Sequence, residues 1–87
     1  MKNDYFEELF KTITLRQKSK NKNSYTKKLF NQGPKIISQK VGEESAELII
    51  DYLKGSKKRT VEEAVDLIYH VFVLLRSKKI TFKDIEK

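Results

Sequence analysis

Two short acidic motifs lie in the most apolar part of a strongly basic chain. Glu44-x-x-Glu47 falls within Lys40-Val41-Gly42-Glu43-Glu44-Ser45-Ala46-Glu47, and Glu63-x-x-Asp66 within Glu62-Glu63-Ala64-Val65-Asp66. Carboxylates gathered in apolar surroundings repel one another and lose hydration, so they need a proton or a cation to neutralise them. Hard oxygen donors without His or Cys among them suit Mg2+, with Mn2+ as the alternative. Mg2+ is usually held by a few carboxylates together with substrate phosphates, so the motifs predict a phosphorylated substrate. Such a centre polarises a phosphoryl oxygen, neutralises the leaving group and lowers the pKa of a water that attacks phosphorus. Lysines around the acids then steer and hold the polyanion.

For that chemistry the two motifs must face each other, and the periodicity supplies the means. The chain shows no period-2 alternation, so the expected class is all-α, with about four to five helices in a hairpin bundle. Phe6, Leu9, Phe10 and Ile13 recur at i, i+3, i+4 and i+7 behind Asp4, which predicts an amphipathic first helix. A polar run from Lys18 to Ser24 interrupts it, and Ser24 to Phe30 reads as a short helical turn closed by Gly33. The second long helix is expected from Pro34, a favoured first residue, to Lys54, with Gly55 just past its end. Wound at about 100° per residue, it sets Lys40, Glu44, Glu47 and Asp51 on one stripe. Ile37, Val41, Leu48 and Tyr52 border the stripe on one side, and Ala46, Ile50 and Leu53 on the other.

The third long helix is expected from Thr60 to about Lys78, after a turn at residues 55–59. So short a turn nearly forces an antiparallel hairpin, in which positions near 47 and 66 share a height and their carboxylates converge. Apolar residues from Val61 to Leu75 wrap most of this helix, more than one neighbour can cover, which points to a homodimer or larger assembly. Thr81 to Asp84 has the pattern of a cap opening a short terminal helix.

Taken singly, several of these acids have a local use. Thr60-x-x-Glu63 matches a capping box, and Glu43 and Glu47 lie within reach of Lys40 on a helix face. Neither use accounts for both acidic pairs lying on one face of adjacent helices.

Composition limits the remaining classes. With 87 residues and no cysteine, residues 1–87 are expected to form a single domain without disulfides or thiolate zinc sites. The longest apolar stretch, Val71 to Leu75, is too short to span a bilayer and no signal-peptide core follows Met1, so a cytoplasmic protein without a membrane partner is expected. The net charge of +7 points to a polyanion. Yet 16 lysines against 3 arginines disfavour a nucleic acid, because arginine is the side chain that reads bases and phosphates bidentately.

The chain resembles the phosphoribosyl-ATP pyrophosphohydrolase family of histidine biosynthesis. The resemblance runs through Ser24-Tyr25-Thr26 with Leu29-Phe30, Gln39 to Glu44 with Glu47, and Glu62 to His70, in order over nearly the whole chain. That family belongs to the MazG-like all-α NTP pyrophosphohydrolases, whose ExxE and ExxD pairs correspond here to Glu44/Glu47 and Glu63/Asp66. The resemblance implies Mg2+-dependent hydrolysis of 1-(5-phosphoribosyl)-ATP to 1-(5-phosphoribosyl)-AMP and pyrophosphate, with those four carboxylates as metal ligands and catalytic residues. It places Glu43 in a supporting catalytic role and Lys40 near the phosphates, with Lys28 and Arg59 as further phosphate contacts by charge and position. Tyr25, Thr26, Tyr69 and His70 are implied to shape the substrate pocket. His70, alone beside Tyr69 and with no Ser or Cys nucleophile to serve, reads as a hydrogen-bonded packing residue rather than a base. Pro34-Lys35 departs from the family pattern, and so does the lysine-rich interhelical loop. Two rivals to this reading are a MazG-like NTP or dNTP pyrophosphohydrolase with the same metal site, and a non-enzymatic basic helical module that binds nucleic acid.

Overall fold

The computed structural model describes residues 4–21 and 24–87 and contains five helices: α1 (Tyr5–Lys18), α2 (Tyr25–Gln32), α3 (Pro34–Lys54), α4 (Lys57–Ser77) and α5 (Phe82–Glu86). The all-α expectation holds, and among the described residues there is no strand. Part of the polar run expected before Ser24 lies at residues 22 and 23, outside the described residues.

The frame is the antiparallel hairpin of α3 and α4, two 21-residue helices joined by Gly55 and Ser56 alone. α3 begins with Pro34 and ends at Gly55, as the sequence predicts. The joint is tight: a Cβ on Gly55 would come within 2.9 Å of the Asp51 carbonyl oxygen and 3.0 Å of Asp51 Oδ1. The start of α4 differs from expectation. Ser56, not Thr60, is its N-cap, and the Ser56 hydroxyl accepts from Arg59 N at 3.1 Å. Thr60 instead turns its hydroxyl to the carbonyls of Ser56 (2.9 Å) and Asp51 (3.2 Å), so there is no capping box at Thr60–Glu63 and Glu63 is released for other partners.

α1 and α2 pack against the base of this hairpin. Each of four helices contributes one fully buried side chain to a shared core: Ile13, Leu29, Ile37 and Val73. Phe10 is also buried, and its ring meets Phe72 at 5.1 Å and Phe82 at 5.5 Å, which docks α5 onto α1 and α4. α5 opens with the expected box, Thr81 and Asp84 exchanging side-chain-to-backbone bonds. Between α2 and α3 the chain reverses at Gly33, whose φ of 93° and ψ of 168° suit glycine almost alone.

Ile37 and Val73 lie toward the open end of the hairpin, near the α3 start and the α4 end. The closed end extends past the core, since a 21-residue helix is about 30 Å long. There Ile49, Ile50, Tyr52, Leu53 and Val61 are more than half exposed. The exposed apolar surface at this end is thus mainly on α3, with Val61 of α4 beside it.

Candidate active site

The acids lie on the facing sides of α3 and α4, between the core and the Gly55–Ser56 turn. Glu44, Glu63 and Asp66 each offer a carboxylate oxygen, and these three atoms lie within 4.8 Å of one another. The two-residue turn explains this register. With α4 starting before Thr60, its residues slide along α3, and Asp66 meets Glu44 rather than lying level with Glu47. Glu47 is exposed and outside the trio, although its carboxylate is close enough to Glu63 to repel it.

Glu63 is the anomalous member. It is 4% exposed, the only buried carboxylate among the described residues. One oxygen, Oε2, accepts from Arg59 Nη2 at 2.7 Å, while Oε1 is buried without a hydrogen-bond partner. Burial pushes its pKa above the usual carboxylate value and repulsion from Glu47 adds to this; Arg59 pulls it back, and the nearness of Glu47 and the charge of Glu44 raise it again. A buried oxygen without a donor, on a carboxylate that meets two others, is an arrangement that a hard divalent cation satisfies. The residues present therefore fit a Mg2+ or Mn2+ site.

The other predicted site residues fall into two groups. Near the acids, Lys40 is within 3.7 Å of Glu43 Oε1, and Glu43 also receives a bond from Gln39 at 3.4 Å. Glu43 is thus exposed and engaged along its own helix, apart from the trio. Arg59 gives both terminal nitrogens to acids: Nη1 to Glu62 at 2.9 Å, and Nη2 to Glu63 at 2.7 Å and to Asp51 at 3.5 Å. The hydrogen bond to Glu62, then attraction to Asp51 and Glu63, raises its pKa. Sequence reasoning put Asp51 on the acid stripe but gave it no role. The signals for this cluster were the Arg59/Glu63 spacing of i, i+4 and the reach of Arg59 back across a short turn.

Further down the hairpin, α2 meets α4 through two polar clasps. His70, 6% exposed, lies within 2.7 Å of the Asp66 carbonyl through Nδ1 and within 3.1 Å of the Tyr25 hydroxyl through Nε2. A carbonyl only accepts, so Nδ1 carries the proton and Nε2 accepts from Tyr25. That pairing agrees with the packing reading of His70. Buried Thr26 shares a short hydrogen bond with the Tyr69 hydroxyl, and the Tyr25 and Tyr69 rings stack at 6.2 Å. Burial raises the Tyr69 phenol pKa and the bond to Thr26 offsets part of this. Lys28 is exposed on α2. An apolar cleft of about 480 Å3 lies at the opposite end of the hairpin, between Pro34 and Ile80, with no acid in its wall.

Fold and site together define an all-α hairpin protein with a carboxylate centre suited to a hard cation. Comparison with known proteins narrows that class. Residues 6–87 match the family model described as phosphoribosyl-ATP pyrophosphohydrolase. Over 87 residues the chain is 41% identical to a phosphoribosyl-ATP pyrophosphatase of Sulfolobus acidocaldarius, covering all of this chain and 92% of that protein. Over 80 residues it is 45% identical to one from Bacillus cereus, covering 92% of this chain and 75% of that protein. It also matches the histidine biosynthesis bifunctional protein HisIE of Staphylococcus aureus at 41% identity over 78 residues, 37% of that longer protein. The chain belongs to the phosphoribosyl-ATP pyrophosphohydrolase family.

Proposed function

We propose that the protein hydrolyses 1-(5-phosphoribosyl)-ATP at its α,β-phosphoanhydride, releasing pyrophosphate and 1-(5-phosphoribosyl)-AMP in histidine biosynthesis, with Mg2+ at the carboxylate centre. The observation that carries the reading is the meeting of Glu44, Glu63 and Asp66, together with a buried Glu63 oxygen that has no donor. Membership of the family supplies the substrate class. These three residues would hold the ion, with Glu47 as the fourth carboxylate beside Glu63. When bound, the ion supplies charge neutralisation at the phosphates and acidifies a coordinated water.

The chain's own groups account for the rest of the balance. Water adds its oxygen to one phosphorus of the bridge, the bridging P–O bond breaks, and pyrophosphate departs. The proton lost by the water passes to solvent, which the exposed Glu47 and Asp66 border. Lys40, half-buried beside Glu43, is the nearest lysine on the acid stripe and suits the phosphates; Tyr25 and Tyr69 offer stacked rings to the remainder of the substrate. Lys28 adds positive charge on α2 without a defined contact.

The test is pyrophosphate release from phosphoribosyl-ATP set against a panel of NTPs and dNTPs, each with Mg2+ and with a chelator. Phosphoribosyl-ATP should be the preferred substrate. Asp66→Asn and Glu47→Ala should each lower the rate roughly a hundredfold or more, since loss of an outer-shell partner alone costs about 10–100-fold. Activity confined to the panel, or full rates in both variants, would overturn the reading.

A further inference from the structure

Arg59 sits at the third position of α4, just past the turn, and makes three contacts that differ in kind. Glu62 is its neighbour along the helix and Asp51 belongs to the end of α3, so these two brace the guanidinium across the joint. Glu63 alone is buried, and it receives the shortest bond, 2.7 Å from Nη2 to Oε2.

We propose that Arg59 is a positioning residue for the divalent cation. It fixes Glu63 through Oε2 and leaves the unpartnered Oε1 as a preformed ligand atom on a carboxylate that meets Glu44 and Asp66. The inference rests on the metal-site reading above. Ligating carboxylates are commonly hydrogen-bonded in turn by an outer partner that fixes their orientation, and here the outer partner is already in place.

Two other roles for this arginine are weaker. As a phosphate contact it would have to leave three carboxylates at once. As a charge that repels the cation it would act through a field that Asp51 and Glu62, both outside the trio, largely cancel. Its side chain is also 53% exposed, so solvent screens what remains. With the charge offset, geometry is the larger effect. A lysine cannot reproduce it, because a single ammonium lacks the planar fork that spans Glu62, Glu63 and Asp51 together.

The test is Mn2+ affinity of the substrate-free protein, read from the electron paramagnetic resonance of unbound Mn2+, for wild type, Arg59→Gln, Arg59→Lys and Asp66→Asn. Helix content and thermal midpoint are recorded alongside, and binding is measured well below each midpoint. Arg59→Gln should weaken Mn2+ binding about tenfold or more, the usual effect of losing an outer-shell partner. Arg59→Lys should fall between it and wild type. A residue that merely braces the turn would lower the thermal midpoint and leave Mn2+ affinity unchanged. If Arg59→Gln and Arg59→Lys both bind Mn2+ as tightly as wild type, or more tightly, while Asp66→Asn binds weakly, the positioning role is wrong and the metal site stands. If Asp66→Asn itself binds like wild type, the metal site is wrong.

Discussion

Removing the Tyr69 hydroxyl tests how α2 is held against the hairpin. In Tyr69→Phe the ring still stacks on Tyr25, and what is lost is the hydrogen bond with Thr26. Thr26 is 2% exposed and stands in the first turn of α2, so its hydroxyl reaches neither solvent nor the carbonyl of a preceding helical turn. An unsatisfied buried hydroxyl costs about 1–3 kcal/mol. In a domain of this size each kcal/mol moves the thermal midpoint by roughly 4–8 °C, which gives a fall of about 4–24 °C for the variant. Thr26→Val should cost less, about 1 kcal/mol or below, because the half-buried Tyr69 hydroxyl can turn to water. The double variant should be no worse than Thr26→Val, since replacing both partners by apolar groups leaves nothing orphaned. Thermal and urea unfolding followed by far-ultraviolet circular dichroism closes the cycle. Additive costs, or a Tyr69→Phe midpoint equal to wild type, would refute the argument.

Two further outcomes follow from the surface and the termini. Tyr52 and Leu53 are 72% and 71% exposed, and we infer that a second copy covers this end of the hairpin; in sedimentation the 10.3 kDa chain should run at twice its mass or more and Leu53→Glu as a monomer, whereas a monomeric wild type at micromolar concentration defeats the idea. Asp84 is held below its ordinary value of 3.8 by the Thr81 backbone N–H and hydroxyl, so its contribution is present above that pH and lost as pH falls through the lower folded-state pKa. Asp84→Asn should therefore flatten the decline in thermal midpoint below about pH 4; a decline as steep as wild type counts against the box.

Much of this architecture is written locally. Pro34 and Gly55 bound α3 because each acts on its own backbone, and Thr81 with Asp84 announces α5 in the same way. The start of α4 is harder, since Ser56 and Thr60 can both cap a helix and only Thr60 has an acid three residues on. Tertiary structure makes the choice: Glu63 turns inward to α3 and Arg59, which leaves the cap to Ser56. That choice also sets the register, so the four candidate acids were legible from spacing but the grouping of Glu44, rather than Glu47, with Asp66 was not. The Arg59 contact with Asp51 follows only once the turn is known to be two residues long, whereas that with Glu63 has the i, i+4 spacing of a single helix. Thr26 and Tyr69, 43 residues apart, have no spacing that announces their bond.

The shortness of the Gly55–Ser56 link has a kinetic consequence. The carboxylates of α3 and α4 are brought together by a tertiary pairing that closes over only two residues, and pairings that close small loops form early. The charge repulsion at the centre is therefore expected to act at the folding transition state rather than after it. Added Mg2+ should consequently speed folding, while loss of the Tyr69–Thr26 clasp, which joins segments far apart in sequence, should chiefly speed unfolding.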